Sequence, residues 1–365
     1  MLELADIVRA AGPEVCARLA ALPSQKRALE CILQCRTPAL GGEVYACDHC
    51  RALHYSYHSC GNRHCPKCHG QQTAAWLEKQ RGRLLPGPYY LLTFTLPSEL
   101  RAVARSHQKA VYGGLMSSAA ATVQKLCADP RWLGGQPALL GVLHTWTRAL
   151  LYHPHAHFLV SAGGLSPDGQ RWVEPGNPHF FLPVRALSKI FQAKMRDTLD
   201  QAGLLGQVPA QAWRRSKKWV VHAQPAGTGD KVLEYLGRYV FRIALTPSRL
   251  ESLAEGHVTF RYRDNRTQQM QRVRLPAADF LQRFLQPVLP KGFPKVRHYG
   301  LAGAACAARR QQARALLALR RPAPPTATPP DTPPTAAPPH TPCPNCRQEC
   351  LVWIGQLRPR KKIPP

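Results

Sequence analysis

Three histidines stand at alternate positions in the stretch YHPHAHFLV, residues 152–160. Successive side chains of a β-strand point to opposite faces, so His153, His155 and His157 share one face and the residues between them share the other. Two imidazoles on one face can bind a divalent metal ion. The alternative is that such histidines bond only to water or to backbone, as on many half-exposed strands, so the residues that accompany them decide the interpretation.

Two C-x-x-C pairs, Cys47 with Cys50 and Cys65 with Cys68, are separated by fourteen residues. Each pair supplies two thiolates at one tight turn, and two pairs complete the tetrahedral sulfur shell that zinc prefers. The chain has thirteen cysteines, an odd number, and several fall in such pairs, which indicates metal binding in a reducing compartment rather than a disulfide framework. We therefore expect these four cysteines to form one structural zinc site.

Other residues leave alternatives to this ligand set. Three neighbours rank behind the four cysteines as substitute ligands: Cys60, His58 and His64. Near the C-terminus, Cys343, Cys346 and Cys350 are candidates for a second zinc, although they offer only three thiolates in range.

The chain is strongly basic. Among its 365 residues, Lys and Arg outnumber Asp and Glu by 49 to 21, a net charge of +28 that favours a polyanionic partner. Nucleic acid is the expected partner, although an anionic membrane surface would attract the same charge. No apolar run approaches the ~20 residues of a membrane span, and the N-terminus lacks a signal-peptide pattern. These features predict a cytoplasmic, nucleoid-associated protein without membrane contact.

Basic residues cluster in the cysteine-rich stretch, in WRRSKKW (residues 213–219) and in a predicted hairpin over residues 257–275. The alternative for each is a charged face that contacts only solvent. The candidate contacts with nucleic-acid phosphates are Arg63, Lys67, Arg214, Arg215, Lys217, Lys218, Arg261 and Arg263.

The segment TGDKVLEYLGRYVFRIAL, residues 228–245, predicts an amphipathic helix with Asp230 as its N-cap. Tyr235 and Tyr239 lie one turn apart along one edge of the apolar stripe. Taken alone, tyrosines in such positions are more often boundary residues of an amphipathic helix than nucleophiles.

Composition divides the chain into five segments. Residues 322–342, PAPPTATPPDTPPTAAPPHTP, cannot form a helix or a central strand, because proline removes backbone donors and fixes φ. The predicted segments are an N-terminal helical segment at 1–30, a zinc-binding and DNA-binding domain at 31–72, a main domain at 73–310, a helix end with the proline-rich linker at 311–342, and a basic cysteine-containing tail at 343–365.

A cysteine finger, an H-x-H strand and a later Tyr-x-x-x-Tyr helix, in this order on a basic chain, resemble the two-tyrosine rolling-circle transposases of bacterial insertion sequences. The chain is most similar to insertion-sequence family ninety-one, within the HUH endonuclease superfamily (His, hydrophobe, His). The resemblance covers residues 4–310 and leaves the proline-rich tail outside. Blocks that carry it include SCGNRHCPKC, LTFTLPSELR, GVLHTWTRALLYHPHAHFLV, YLGRYVFRIAL and LPKGFPKVRHYG.

The resemblance implies an α+β fold, in which residues 73–310 form an antiparallel-sheet HUH nuclease domain with flanking helices, preceded by a zinc-ribbon-like domain. It implies that His155 and His157 bind a magnesium or manganese ion and that Tyr235 and Tyr239 are the nucleophiles. The implied activity is transposition: nicking and rejoining of single-stranded DNA at element ends and target through a 5′-phosphotyrosine intermediate. A phenol with a pKa near 10 is a poor nucleophile at neutral pH, so metal assistance agrees with this chemistry.

The third ligand of the catalytic metal has several candidates. A hairpin centred near Ala149 and Leu150 would place His144 across from His155 on the same face. His144 is therefore the first candidate and His153 the second, while a water molecule or another side chain is a further alternative.

Two other functions fit parts of the pattern. A replication initiator or relaxase of the same superfamily shares the chemistry but usually lacks this order of finger and nuclease motifs. A zinc-dependent nucleic-acid-binding regulator would perform no chemistry, and its histidines would be structural.

Overall fold

The computed structural model describes residues 2–68, 70–177, 181–214, 216–228, 231, 245–264, 267–320, 342–348 and 350–360. Its helices are α1 (Leu4–Leu19), α2 (Pro23–Gln34), α3 (Gly70–Arg81), α4 (Arg101–Ser106), α5 (Gln108–Ala128), α6 (Val184–Gln201), α7 (Ala277–Leu285) and α8 (Ala307–Arg320). Within the described ranges, no helix is long and apolar enough to cross a membrane. Tyr235, Tyr239 and Arg215 lie outside the described residues.

The strands of the described ranges form four antiparallel sheets. They are β1 (Gly42–Cys47), β2 (Leu53–Tyr57), β3 (Pro88–Thr95), β4 (Ala138–Trp146), β5 (Tyr152–Ser161), β6 (Gly164–Leu165), β7 (Trp172–Val173), β8 (Val221–Thr228), β9 (Leu250–Ala254), β10 (His257–Arg263), β11 (Met270–Pro276), β12 (Val296–Gly300) and β13 (Leu351–Leu357). The mixture of helices with antiparallel sheets confirms the predicted α+β class.

The largest sheet has the strand order β12-β4-β5-β3-β8, with the histidine-bearing strand β5 in the middle. Burial alternates along the first half of β5, where Tyr152, Ala156 and Phe158 are buried while His155 and His157 are half-buried. The alternation expected from the sequence is therefore present, and it fixes which side chains face the protein core.

Helices α5 and α6 cover the core face of this sheet. The contact is rich in aromatic rings that meet edge to face: Phe94 of β3 lies 5.8 Å from Phe158 of β5 and 5.1 Å from Phe191 of α6, measured between ring centroids. All three rings are fully buried. Burying each such side chain stabilises the fold by about 1.5–3 kcal/mol, so this layer holds β5 firmly in place.

The opposite face of the sheet is covered only in part. Near the end of β5, Leu159 and Leu140 pack with Trp76 and Leu77 of α3. The half of the face nearer the start of β5 carries the histidines. The sheet therefore has one apolar face, and a second face that is apolar at one end and polar at the other.

A second core joins the later part of the main domain to the N-terminal segment. Helices α1 and α2 pack with α7 and the sheet β11-β10-β9 around Phe260 and Phe280, both fully buried. The predicted hairpin is present as β10 and β11, with Val258 and Phe260 buried and Arg261 exposed. The N-terminal helices are thus part of a larger packed unit.

The cysteine-rich stretch forms the sheet β13-β1-β2, whose outer strand comes from the C-terminus. Strand β13 pairs antiparallel with β1, from Gly42 opposite Leu357 to Cys47 opposite Leu351. This strand belongs to residues 343–365, which the sequence analysis set apart as a basic cysteine-containing tail. The apolar stretch LVWIGQL completes an edge that β1 would otherwise expose.

Docking of the C-terminal strand requires a glycine at position 41. Gly41 has φ +69° and ψ −168°, and a Cβ built there would lie 2.3 Å from the Leu357 carbonyl oxygen. Gly12, at the kink in α1, has similar angles of φ +80° and ψ 161°, but an added Cβ meets no atom within 4 Å. The two glycines therefore share the backbone requirement and differ in the space around them.

Replacing Gly41 with Ala should destabilise the protein more than replacing Gly12 with Ala. Both substitutions force a side chain into a strained backbone region, at about 1–3 kcal/mol, and only Gly41→Ala adds the overlap with β13. Melting temperatures measured by calorimetry test this. Equal decreases for the two variants would show that β13 does not dock against Gly41.

Candidate functional site

The pairing of β4 with β5 brings three histidines together. His144 lies directly opposite His155, and His157 lies opposite Val142 of β4 and Thr93 of β3. Directly paired residues of an antiparallel sheet point to the same face, so the three imidazoles form a cluster. Their candidate ligand atoms all lie within 4.8 Å of one another. The expected position of His144 across from His155 is therefore present in the structure.

Hydrogen bonds orient the two imidazoles that β5 contributes to the cluster, those of His155 and His157. His155 Nδ1 donates to the backbone carbonyl of His153 at 2.6 Å, which makes Nε2 the basic nitrogen of that ring. His157 Nδ1 and Thr93 Oγ1 are 3.0 Å apart. Bonds of this kind fix the tautomer and the ring orientation of metal-binding histidines, and they favour binding through the other nitrogen.

His144 is held by its aromatic neighbours. It is buried, and its ring stacks on Trp146 at 5.3 Å between centroids with an interplanar angle of 30°. The ammonium of Lys295, the residue before β12, lies 5.1 Å from the centroid of the Trp146 ring. Packing on Trp146 restricts the rotamer of His144, so its imidazole stays close to those of His155 and His157.

His153 was the second candidate for the third ligand, and the structure gives it a different environment. Arg101 Nη2 donates to His153 Nδ1 at 3.2 Å. Burial, and then the positive charge of Arg101, lower the pKa of His153 below its usual value, so the ring is neutral at physiological pH. His153 is not part of the group of ligand atoms that includes His144.

The donor set of the histidine cluster suits a transition metal ion with open coordination positions. Within the described residues, the group contains three imidazoles and no carboxylate. Imidazole is a better ligand for transition ions than for magnesium, whose preferred ligands are oxygens. Three protein ligands leave positions open, as catalytic metal sites require.

Eight of the thirteen cysteines form two groups of four. The first group is Cys35, Cys60, Cys65 and Cys68. The second is Cys47, Cys50, Cys343 and Cys346. In the first group, Cys68 Sγ lies 3.4 Å from Cys35 Sγ and 3.5 Å from Cys60 Sγ. Four sulfurs around a tetrahedral zinc at ~2.3 Å would be separated by about 3.8 Å, so the first group is close to the geometry that zinc requires.

The prediction that Cys47, Cys50, Cys65 and Cys68 share one zinc is wrong in its grouping. Cys47 and Cys50 lie at the turn between β1 and β2, whereas the chain leaves β2 beside Gly42, at the other end of the hairpin. A six-residue strand separates these ends by about 17 Å. Cys65 and Cys68 are therefore grouped with Cys35 and Cys60, whereas Cys47 and Cys50 are grouped with Cys343 and Cys346. Of the three C-terminal cysteines that the sequence analysis proposed as zinc ligands, two thus belong to the second group.

Cys60, ranked as a substitute, belongs to the first group, while the two substitute histidines do not. His64 Nε2 accepts a hydrogen bond from the Leu289 amide at 3.3 Å, and His58 Nε2 lies 3.4 Å from Glu43 Oε1.

In the second group, the Cys50 amide donates to Cys47 Sγ at 3.3 Å and lowers the pKa of that thiol to about 5. This favours the thiolate form that binds zinc.

The basic residues expected to contact phosphate have diverse environments. Arg63 donates to the carbonyls of Phe293 and Pro290 at 2.6 and 2.8 Å, so its guanidinium fastens the loop before β12, and we withdraw it as a phosphate contact. Lys67 pairs with Glu3 at 2.5 Å, and Lys217 pairs with Glu99. Arg214, Lys218, Arg261 and Arg263 are exposed, and for them phosphate contact stays a prediction.

Sequence reasoning missed Thr93 and Cys35. Thr93 was part of a buried-type strand with no sign that its hydroxyl faces a histidine, because the register between β3 and β5 is not encoded locally. Cys35 stands outside any C-x-x-C pair. A count could have found it: three C-x-x-C pairs hold six cysteines, and two four-ligand sites require eight.

Comparison with known proteins gives consistent results. Residues 7–96 match the family model described as a transposase zinc-binding domain, of the IS91 type, and residues 139–311 match the model described as a putative transposase. The putative transposase y4qJ of Sinorhizobium fredii is 38% identical over 96% of this chain and 94% of the relative. The transposase for insertion sequence element IS801 of Pseudomonas savastanoi pv. phaseolicola is 31% identical over 75% of this chain and 70% of the relative. No solved structure matches the chain significantly.

Replacing Cys35 with Ser should remove one zinc ion per chain and lower the thermal stability, because it removes one thiolate from the first cysteine group. Cys31→Ser is the matched control, since Cys31 is also a buried residue of this region but lies outside both groups. Zinc content measured by mass spectrometry after desalting tests the grouping. Full zinc content in Cys35→Ser would restore the grouping expected from the sequence.

Proposed function

Because the chain belongs to the transposases of insertion-sequence family ninety-one, we propose that it nicks and rejoins single-stranded DNA at the ends of its element through a covalent 5′-phosphotyrosine intermediate. The observation that carries the proposal is the cluster of His144, His155 and His157 on the middle of the central sheet. Family membership supports transposition, and the cluster supports metal-assisted phosphate chemistry in particular.

The three histidines would hold one divalent ion, manganese or magnesium, through their imidazole nitrogens. When bound, such an ion polarises the scissile phosphate and offsets negative charge in the transition state. Of the two ions, manganese fits the imidazole donors better. The bonds from His155 to the His153 carbonyl and between His157 and Thr93 preorganise the site, so little reorganisation is needed when DNA binds.

Tyr235 and Tyr239 are the proposed nucleophiles. The phenolic oxygen of one tyrosine attacks the phosphorus, the bond between phosphorus and the 3′ oxygen breaks, and that oxygen takes up a proton as the 3′-hydroxyl. The 5′ side of the cut stays on the protein as a phosphotyrosine ester. Attack by a 3′-hydroxyl on this ester restores a phosphodiester and releases the tyrosine, so cutting and rejoining need no external energy source.

The exposed basic residues would guide the DNA strand to this site. Arg214 and Lys218 lie on the segment that leads into β8, a strand of the same sheet as β5. Arg261 and Arg263 are exposed on β10. Contacts of these side chains with phosphates are sequence-independent, and they would contribute affinity that falls as the salt concentration rises.

Covalent trapping tests the nucleophiles. Incubation with a single strand from the element end, labelled at its 3′ end, should give a labelled protein adduct that survives denaturing electrophoresis. The same strand labelled at its 5′ end should give a shortened free fragment and no labelled adduct, because the protein stays on the 5′-phosphate of the downstream piece. The variant with both Tyr235→Phe and Tyr239→Phe should form no adduct while its melting temperature changes little.

Controls for this experiment separate chemistry from binding. Mild EDTA treatment should abolish the adduct, and added manganese or magnesium should restore it. Each single Tyr→Phe variant should retain some first cleavage if both tyrosines act in sequence. An adduct formed by the double variant would mean that the nucleophile lies elsewhere, and DNA binding without any adduct in the unmodified protein would favour a non-enzymatic role.

The hydroxyl of Thr93 should matter for metal affinity. Thr93→Val removes the partner of His157 Nδ1 and should weaken manganese binding about 10- to 100-fold. Thr95→Val is the matched control, because Thr95 is paired with His155 two residues along the same face of β3 but has no such bond to a histidine. Manganese titration followed by electron paramagnetic resonance measures both variants. Equal affinities would exclude orientation of His157 by Thr93.

A further inference from the structure

The second cysteine group joins two segments from opposite ends of the chain. Cys47 and Cys50 come from the β1–β2 turn, and Cys343 and Cys346 come from the segment that follows the proline-rich residues. We propose that these four cysteines bind one zinc ion, which fastens the C-terminal segment to the N-terminal domain. The family model for zinc binding covers only residues 7–96, so the site requires ligands outside it.

The sulfur positions fit a tetrahedral site. Cys47 Sγ lies 3.6 Å from Cys346 Sγ, and Cys50 Sγ lies 3.7 Å from Cys343 Sγ. These distances agree with the separation of about 3.8 Å between two thiolates on one tetrahedral zinc. Cys47 and Cys343 are fully buried, so the group is shielded as structural zinc sites are.

Backbone hydrogen bonds shape both C-x-x-C turns. The Arg51 amide donates to the Cys47 carbonyl at 2.8 Å, and the Arg347 amide donates to the Cys343 carbonyl at 2.7 Å. Each bond spans the same interval of four residues, so the two turns are closed in the same way. Between them, the Asp48 amide donates to the Cys350 carbonyl at 3.0 Å. The pairs therefore face each other as two similar knuckles.

Contacts remote from the sulfurs hold the C-terminal segment in register. Glu43 of β1 accepts hydrogen bonds from Trp353 Nε1 at 2.6 Å and from Gln356 Nε2 at 3.0 Å. The Arg360 amide donates to the Ala39 carbonyl at 3.1 Å. Together with the pairing of β13 with β1, these bonds bring Cys343 and Cys346 to Cys47 and Cys50 without any requirement for a metal to draw them there.

Two additional donors lie beside the group, and their geometry assigns them other roles. Cys350 Sγ is 3.1 Å from Cys47 Sγ, which is shorter than the separation of two zinc-bound thiolates, so we assign Cys346 as the ligand and Cys350 as a neighbour. His54 Nε2 is 3.2 Å from Cys343 Sγ, where a ring N–H can donate to the thiolate.

The zinc site would close a loop in the chain between the end of α8 and the second cysteine group. With zinc bound, residues 321–341 link two points that are each fixed on the folded protein, α8 at one end and the cysteine group at the other. The zinc ties residues almost three hundred positions apart, since Cys50 and Cys343 are separated by 293. Zinc binds the folded arrangement of these cysteines, so its binding free energy would add to that of the β13 contacts, and loss of the metal would weaken the docking of the C-terminal segment.

Cysteine alkylation on the full-length protein tests the site without any substitution. The zinc-loaded protein is treated with a thiol reagent, and each cysteine is quantified by peptide mass spectrometry with and without a strong chelator. Cys343 and Cys346 should be protected together with Cys47 and Cys50, and the chelator should expose all four. Cys306, half-buried and outside both groups, is the internal control and should react equally in both conditions. Reaction of Cys343 and Cys346 as fast as Cys306 with zinc present would overturn the proposal.

Zinc content provides the second measurement. In a His155→Ala background, which removes one ligand of the histidine cluster, the chain should retain two zinc ions, one for each cysteine group. Adding Cys343→Ser and Cys346→Ser should leave one, and Cys16→Ser with Cys306→Ser, the matched control, should leave two. Two zinc ions in the Cys343 and Cys346 variant would exclude the shared site. Loss of a zinc in Cys350→Ser but not in Cys346→Ser would overturn the ligand assignment.

Discussion

The antiparallel register between β4 and β5 is the constraint on which the candidate active site depends. One residue of slippage would turn His144 to the opposite face from His155 and His157, because side chains alternate along a strand. The register is held from the core side, where Ala156 and Phe158 of β5 pack with Leu143 of β4 against the α5 and α6 layer. Apolar packing on one face therefore fixes the positions of the polar groups on the other.

In the N-terminal domain, the two cysteine groups take the place of the apolar packing that holds the central sheet. Its sheet β13-β1-β2 is small and largely exposed, with side chains such as Leu53, Tyr55 and Trp353 facing solvent. A sheet of this size cannot bury enough apolar surface to be stable alone, so metal sites are the usual substitute for a core. The two cysteine groups lie at different ends of the β1–β2 hairpin, one beside α2 and the other beside the C-terminal segment. Zinc binding there would fix both ends of the hairpin.

The basic residues of the chain differ in whether their charge is bound to other protein groups or exposed to solvent. Several basic residues near the cysteines serve structure, as Arg63 does at the carbonyls of residues 290 and 293 and Lys67 does with Glu3. Arg261 and Arg263 of β10 are exposed and, like the exposed basic residues before β8, can meet a polyanion. The exposed Arg272 and Arg274 of β11 pair with Glu251 and Glu255, each at 2.9 Å. A net charge of +28 therefore overstates the number of groups that can meet DNA, although the excess remains large.

The sequence by itself determined the strand that carries His155 and His157, the α+β class, the hairpin of β10 and β11 and the family, because alternation, turn residues and motif blocks are local properties of the chain. It also predicted His144 opposite His155, since a short hairpin fixes which residues pair. Only the tertiary structure decided how the cysteines group. Ligands of one metal need closeness in space rather than in sequence, so Cys35 with Cys68, and Cys50 with Cys343, could be joined only by the packing of α2 and the return of β13 to β1.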